Sequence, residues 1–256
     1  MKPLDIFPLP AFEDNYIWCL RRDQSLAVVD PGDATPVLRH LAESGERLAA
    51  IMITHHHHDH TGGIAELTAR HPVPVFAPAV EPIVGTTHPL RGGDRIGLPG
   101  LDIDLDVLDF AGHTRGHLGY YRPGSLFCGD TLFGCGCGRL FEGTAAQLHA
   151  ALGKIGALPP LTSIYSAHEY TESGIRFART VEPGNSAIDA RASDVSRRLA
   201  AGQPTVPFTL ADELATSPFL RCREPGVIDA AARRLGRTPI DELEVFATLR
   251  EWRDHF

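Results

Sequence analysis

The chain lacks several patterns that would assign it to other classes of protein. No apolar run approaches the ~20 residues that a membrane-spanning helix needs. The N-terminal segment has an aspartate and three prolines where a signal peptide needs an unbroken apolar core. The five cysteines are an odd and scattered set, which argues against a disulfide framework and favours a reducing compartment. We therefore expect a soluble, cytoplasmic protein with no membrane partner.

Motifs that other functions require are missing as well. The formal charge of -8 comes from 32 acidic and 24 basic residues without long runs of one sign, which argues against nucleic acid as a partner. No G-x-S-x-G motif is present for a serine nucleophile, and no glycine-rich segment fits a G-x-x-x-x-G-K-[ST] phosphate loop. A small molecule remains the expected ligand, and an anionic one must be held by local cations.

The chain is long enough for a large domain and a small companion, since it has 256 residues of which 43% are hydrophobic. Strand and helix patterns alternate up to about residue 170, which predicts an α/β fold. Beyond that point the patterns are almost entirely helical. Strands are predicted at residues 16–20, 26–29, 48–53, 72–78, 101–109, 125–130 and 163–168; helices at 36–44, 64–70, 144–158, 173–180, 187–201, 225–235 and 241–256; and turns at 88–99. We predict a catalytic domain over residues 1–171 and a helical domain over residues 172–256.

A dense group of metal-ligand residue types follows the predicted strand at residues 48–53. Residues 54–60 contain five histidines and one aspartate, and within them His55, His57, Asp59 and His60 form H-x-H-x-D-H. In an extended backbone, side chains two residues apart point to the same side, so His55 and His57 can bind one ion together. Asp59 and His60 follow a turn and can face a second ion. Such nitrogen and oxygen donors suit zinc or a neighbouring transition metal. A metal site is therefore favoured over a chance polar loop or a terminal tag.

Three further donors stand at or just beyond the ends of predicted strands. They are His113, Asp130 and His168, and donors at strand ends on one edge of a sheet can converge although they are far apart in sequence. With the histidine loop they make seven candidate ligands. Seven donors are too many for one tetrahedral zinc and fit two ions that share a carboxylate. The sequence therefore predicts a binuclear metal site.

These motifs resemble those of the metallo-β-lactamase superfamily, whose fold is an αββα sandwich. The matching features are H-x-H-x-D-H, the later G-H-T-x-G-H at residues 112–117, the Gly-Asp at 129–130 and the final histidine. Over essentially the whole chain, the sequence also resembles the glyoxalase II family, the hydroxyacylglutathione hydrolases. The segments are D-N-Y at residues 14–16, F-C-G-D-T-L-F at 127–133, G-C-G-R-L-F-E-G-T at 136–144, A-H-E-Y-T at 167–171, F-L-R at 219–221 and L-R-E-W-R at 249–253.

The resemblance implies a metal role for each of the seven donors. His55, His57 and His113 would bind the first ion, Asp59, His60 and His168 would bind the second, and Asp130 would bridge the two. His56 and His58 match positions that do not bind metal. For His117 a hydrogen-bonding position beneath the site is favoured over direct ligation, and Asp30 is interpreted in the same way. The family's cofactor is two divalent ions per chain, with zinc expected first and iron or manganese compatible with the donors.

The resemblance also implies a glutathione site at Arg139, Phe141, Tyr170, Arg250 and Arg253. Members of the family often have lysine at the first and last of these positions and tyrosine where Phe141 stands. Arg250 and Arg253 are three residues apart, which places both on one face of a helix and suits a clamp for a carboxylate. Without the resemblance, solvated charges on a terminal helix would be the default interpretation.

The implied reaction is hydrolysis of S-D-lactoylglutathione to glutathione and D-lactate, a step in the detoxification of methylglyoxal, by a monomer. Two ions would lower the pKa of a bridging water toward ~7, so that a hydroxide attacks the thioester while Asp59 and Asp130 position it. Other chemistry on the same scaffold stays open at this stage. The alternatives are a persulfide dioxygenase with a single iron, a lactonase or β-lactamase, and a metal-binding module without catalysis.

Overall fold

The structure is a computed structural model that describes residues 3–256. These residues form two compact units that interleave along the chain. The first contains the residues up to Asp109 together with Thr114–Gly129, and the second contains Phe110–His113 together with Asp130–Phe256. The domain boundary predicted at residues 171/172 was placed where the sequence pattern becomes helical, and it stays a prediction.

The first unit contains a mixed sheet of six strands that lie in the order of the sequence. The strands are β1 (Asp5–Ala11), β2 (Asn15–Arg22), β3 (Ser25–Val29), β4 (Arg47–Met52), β5 (Val75–Pro78) and β6 (His88–Leu90). The first three run antiparallel and the rest continue in parallel from β3. An antiparallel run of four strands follows: β7 (Arg95–Leu98), β8 (Ile103–Asp109), β9 (Leu118–Arg122) and β10 (Ser125–Gly129).

Several of these strands differ from the prediction. Residues 88–99 were expected to be turns but contribute β6 and β7, which have three and four residues and are too short to show a periodic pattern. β1 was not predicted because it contains Pro8 and Pro10, and prolines usually exclude a segment from a sheet. β1 tolerates them because it lies at the edge of its sheet.

Three helices of the first unit are α1 (Ala34–Ser44), α2 (His58–Thr61) and α3 (Ile64–Arg70). In α1, Asp33 accepts a hydrogen bond from Thr35 N at 2.8 Å, which caps the N-terminus. Gly45 ends this helix at φ 70°, as its position in the sequence predicted. The apolar face of α1 buries Val37 and Leu41 in a core that also contains side chains from the six-stranded sheet.

The second unit is mainly helical. Its elements are β11 (Leu132–Phe133), β12 (Gly136–Cys137), α4 (Ala145–Gly156), β13 (Ser163–Ser166), α5 (Thr171–Val181), α6 (Ser186–Ala200), β14 (Phe208–Thr209), α7 (Leu210–Thr216), α8 (Pro225–Leu235) and α9 (Glu242–Asp254). The helical pattern predicted beyond residue 170 is therefore confirmed, with α7 as an addition. None of the helices within residues 3–256 combines the length and the apolar character that crossing a membrane requires.

Thr144 begins α4 with a reciprocal cap that yields a prediction for stability. Its hydroxyl accepts from Gln147 N at 3.2 Å, and the Gln147 side chain accepts from Thr144 N at 2.9 Å. Thr144→Ala should lower the free energy of unfolding by about 1 kcal/mol, because helix-end donors lose their partner. Urea denaturation measures the loss. Thr144→Ser keeps the hydroxyl and serves as the control; equal destabilisation by both substitutions would contradict the capping role.

Candidate metal centre

The histidine loop leaves β4 with two imidazoles close together. The Nε2 atom of His55 lies 2.9 Å from the Nδ1 atom of His57, and His55 is fully buried. Two nitrogen ligands of a tetrahedral zinc, each bonded at 2.0–2.1 Å, would stand about 3.3 Å apart. The two rings therefore already stand near the spacing that a shared ion requires.

The next pair of donors stands on the short helix α2. The Nε2 atom of His60 lies 3.5 Å from Oδ2 of Asp59, while the opposite ring nitrogen, Nδ1, lies 3.0 Å from Oδ2 of Asp30. Asp30 also accepts hydrogen bonds from Thr54 N and Thr54 Oγ1, both at 2.7 Å. A carboxylate that holds one nitrogen of an imidazole fixes the orientation of the ring and directs the other nitrogen toward a metal. Asp30 thus contacts a candidate ligand as predicted.

Asp59 is held by residues whose roles the sequence did not reveal. Asn15 Nδ2 donates to Asp59 Oδ2 at 3.1 Å. A Cβ atom added at Gly32 would lie 1.8 Å from the Asp59 carbonyl oxygen, so only glycine allows the backbone of α2 to come this close. Asn15 belongs to the D-N-Y match at residues 14–16, but that match alone gave it no role.

Glu81 is a second residue that sequence reasoning missed. Its Oε1 atom accepts from Thr114 Oγ1 at 2.5 Å and from Gly116 N at 2.8 Å, and Oε2 lies 3.1 Å from His56 Nδ1. Glu81 therefore ties the histidine loop to the G-H-T-x-G-H segment. It stands in an irregular stretch after β5, where no periodic pattern or motif marks it.

His117 lies beneath the histidine loop. Its ring is fully buried and stacks on His55, with the ring centroids 4.8 Å apart and the planes inclined by 20°. A Cβ atom at Gly129 would lie 2.9 Å from His117 Nε2, so the strand end at β10 packs closely against this ring. This packing favours a role in supporting His55, and the predicted hydrogen-bonding position of His117 stays a prediction.

Asp130 is the centre of the donors in the second unit. Its Oδ2 atom lies 3.5 Å from His113 Nε2 and its Oδ1 atom lies 3.5 Å from His168 Nε2, and all three residues are buried. The Nδ1 atom of His113 lies 2.7 Å from the Arg139 carbonyl oxygen, a contact that orients the ring so that Nε2 faces Asp130. One carboxylate that faces two imidazoles through different oxygens has the geometry of a ligand shared between two ions.

All seven predicted ligands are histidines and aspartates, and within each unit they stand close to one another. Neutral imidazoles and carboxylates are the ligands that zinc, iron and manganese accept in proteins. The residues present therefore fit a divalent metal. The first unit contains His55, His57, Asp59 and His60, and the second contains His113, Asp130 and His168.

A cavity of about 390 Å³ lies in the second unit. Its lining includes His113, Asp130 and all five residues predicted to contact glutathione. The ring of Tyr170 stacks on His168 at 4.7 Å between centroids, and the ring of Phe141 meets His113 edge-on at 5.2 Å. The cavity therefore connects two candidate metal ligands with the predicted substrate residues.

The two arginines of α9 differ in their surroundings. Arg250 is only 5% exposed, and its guanidinium donates to the Cys137 carbonyl at 2.7 Å and to Asp254 at 3.0 Å. Arg253 is less buried and donates to Ser173 Oγ at 2.8 Å. Burial, together with the neighbouring Arg250, lowers the pKa of Arg253. Arg250 thus contacts the cavity wall and Arg253 is more accessible, and the clamp for a carboxylate stays a prediction.

Two models of known protein families match this chain. The model for the metallo-beta-lactamase superfamily matches residues 12–168, and that for the hydroxyacylglutathione hydrolase C-terminus matches residues 169–256. The hydroxyacylglutathione hydrolase of Nitrosomonas eutropha is 49% identical over 253 residues, which cover 99% of both chains. That of Dechloromonas aromatica is 50% identical over 266 residues, covering 99% of this chain and 100% of the relative. The chain belongs to the hydroxyacylglutathione hydrolase family.

Solved structures support the family's fold. ETHE1 from Myxococcus xanthus aligns with a TM-score of 0.67 and 21% identity, covering 98% of this chain and 90% of that chain. TTHA1623, solved in a di-iron-bound form, aligns with a TM-score of 0.55 and 27% identity, covering 63% of this chain and 91% of that chain. The predicted family, its metallo-β-lactamase fold and its helical C-terminal region are confirmed.

Proposed function

We propose that the chain hydrolyses S-D-lactoylglutathione to glutathione and D-lactate with the help of two divalent metal ions. Relatives of about 50% identity over the whole chain have the name hydroxyacylglutathione hydrolase, which supports a glutathione thioester as substrate. The observation that carries the proposal is Asp130, whose two oxygens face His113 and His168 and which lines a cavity of about 390 Å³ together with His113.

The proposed ligand sets follow the resemblance to the family. His55, His57 and His113 would hold one ion, Asp59, His60 and His168 would hold the other, and Asp130 would contribute to both. The contact between His55 and His57 supports the first set, and that between Asp59 and His60 supports the second. Zinc is proposed first, with iron or manganese as alternatives that the same donors accept.

Two such ions supply Lewis acidity when bound, since they polarise a carbonyl group and lower the pKa of water from 15.7 to about 7. In the proposed mechanism the carboxylates of Asp59 and Asp130 accept hydrogen bonds from the attacking water and orient it toward the thioester carbon. Glutathione leaves as its thiolate and takes up the proton that the attacking water gives up, and thiols near pKa 8.5 leave with little need for a protein acid. No side chain is required as a nucleophile.

Substrate binding is assigned to the cavity in the second unit. Glutathione carries two carboxylates, and Arg139 and Arg253 on the lining offer guanidinium groups for them. The Arg139 side chain is 59% exposed and lies 3.1 Å from Asp254, so it can turn toward a ligand. Tyr170 adds a hydroxyl and a flat apolar surface. Phe141, which is 60% exposed, offers apolar contact without a hydroxyl.

The direct test measures metal content and hydrolysis of S-D-lactoylglutathione on the same purified sample. We expect about two ions per chain, loss of turnover after dialysis against a chelator, and recovery when zinc, iron or manganese is returned. Absence of turnover in the metal-loaded protein would contradict the proposal. One iron per chain with oxygen uptake on a persulfide would instead support a dioxygenase.

We also propose a cellular compartment and an oligomeric state for the enzyme. All five cysteines are buried free thiols, which fits a reducing compartment such as the cytoplasm. We propose that the active form is a monomer. Activity that is independent of protein concentration during dilution would agree with this.

A further inference from the structure

A buried ion pair lies in the helical region, and neither of its residues is close in sequence to a candidate metal ligand. Arg191 on α6 and Glu213 on α7 approach to 2.6 Å, with side chains 10% and 0% exposed. Burial raises the pKa of Glu213, and the charge of Arg191 opposes that increase. Removing two charges from water is costly before their attraction is counted, so stability alone is a weak reason for a buried ion pair.

Glu213 of this pair also accepts hydrogen bonds from the backbone of Cys135. Its N–H donates to both carboxylate oxygens of Glu213, at 3.1 and 3.0 Å. The Sγ atom of Cys135 lies 3.4 Å from Thr216 Oγ1 and 3.5 Å from Arg191 Nη1. Cys135 has φ 55°, a left-handed conformation that is unfavourable for a residue other than glycine. Glu213 therefore holds a strained residue by accepting hydrogen bonds from its amide.

Cys135 belongs to a short loop, residues 134–138, that forms one wall of the substrate cavity. Gly134, Gly136 and Cys137 are all on the cavity lining. A Cβ atom at Gly134 would lie 2.4 Å from Thr171 Oγ1, so α5 packs directly against the loop.

The C-terminal end of the loop is held by the charged side chain of Arg250. Arg250 donates to the carbonyl groups of Cys137 and Gly138 at 2.7 and 3.4 Å. The loop thus has a carboxylate on its amide side and a guanidinium on its carbonyl side. It then continues into Arg139, whose carbonyl oxygen contacts His113.

We propose that the Glu213–Arg191 pair is a positioning device for the peptide part of the substrate: by fixing the Cys135 amide it sets the wall of the cavity and the start of Arg139. The inference rests on the proposed function, since it assumes that glutathione occupies this cavity. Neither residue lines the cavity, so both act through the loop. A loop that is free to move would weaken binding of the tripeptide and leave the chemistry at the thioester nearly intact.

The test compares the wild-type protein with Glu213→Gln, which keeps the shape and removes the charge. We expect KM for S-D-lactoylglutathione and Kd for glutathione to rise about tenfold, with kcat within about twofold, because only binding is lost. Activity toward a lactoyl thioester of N-acetylcysteamine, which lacks the tripeptide, should change by less than about twofold. Metal content should stay at the wild-type value.

The matched control is another ion pair of the helical region, Glu182 with Arg221. The Arg221 guanidinium donates to both Glu182 oxygens, at 2.7 and 2.9 Å. Within residues 3–256, none of the hydrogen bonds or ion pairs found for these two side chains reaches residues 134–138. Glu182→Gln should lower stability and leave KM and Kd unchanged. An equal rise of KM in both variants, or unchanged KM and Kd in Glu213→Gln, would overturn the inference.

A double variant, Glu213→Gln with Arg191→Met, covers the case in which the single substitution prevents folding, since it leaves no unpaired charge behind. We expect the same loss of glutathione affinity, and wild-type affinity in this variant would overturn the inference. Failure of the wild-type protein to hydrolyse the thioester or bind glutathione would instead reject the proposed function. The two failures are therefore distinguishable.

Discussion

Asp130→Asn is expected to reduce thioester hydrolysis by at least about a thousandfold, because the proposed mechanism depends on bound ions that keep the pKa of water far below its bulk value. Each carboxylate oxygen of Asp130 faces a different histidine, His113 or His168, at 3.5 Å. Asparagine keeps one oxygen, presents an amide to the other histidine and removes the negative charge. Elemental analysis and the turnover rate of the same sample measure the effect, and we expect metal content to fall well below the wild-type value.

Asp104→Asn is the control for that substitution. Asp104 stands on β8 with its side chain 56% exposed and pairs with Arg95, so the same change of charge is made at a surface. It should leave metal content and turnover at wild-type values, because exposed ion pairs contribute little. Two ions per chain and normal turnover in Asp130→Asn would show that the shared carboxylate has been assigned wrongly.

Asp30→Ala has the second largest expected effect, and here stability and metal affinity should fall together. The substitution removes the acceptor of three buried donors, which are Thr54 N, Thr54 Oγ1 and the His60 ring. We expect a loss of about 3 kcal/mol or more in the free energy of unfolding, since a buried donor left without its acceptor costs 1–3 kcal/mol. Metal affinity should fall by about 10–100-fold because His60 loses the contact that orients it.

Denaturation of the metal-free protein and competition with a chelator separate these two effects. Asp33→Ala is the matched control, because Asp33 lies nearby and accepts from Thr35 N at the start of α1. It should cost about 1 kcal/mol as a lost helix cap and leave metal affinity unchanged. An Asp30→Ala protein that binds metal as tightly as the wild type would contradict the orienting role.

Local patterns in the sequence were sufficient to predict the histidine loop and the strands that lead to it. The apolar run at residues 48–53 predicted β4, and the H-x-H-x-D-H spacing predicted paired donors, which the contact between His55 and His57 provides. These features depend on neighbours in the chain. Thr144 was identified for the same reason, since a helix cap involves residues only three positions apart.

The supports of the site could not be predicted, because their partners are distant in the sequence. Asn15 contacts Asp59 across 44 positions, and Glu213 contacts Cys135 across 78. A glutamate in a short helix resembles any solvated charge until the fold buries it. Arg250 illustrates the same limit, because helical spacing correctly placed it near Arg253 but gave no information about its burial beneath residues 134–138.

The prolines of β1 have a consequence for association between chains. Pro8 and Pro10 lie two positions apart, so their missing N–H groups fall on the same side of the strand, and the intact ladder to β2 places that side outward. The opposite margin, β6, contains Pro89. A sheet whose two outer strands both contain prolines offers fewer amide donors along its margins and is a poorer template for an additional strand. Growth of this sheet into an intermolecular ribbon, a common route to aggregation, is therefore disfavoured on both sides.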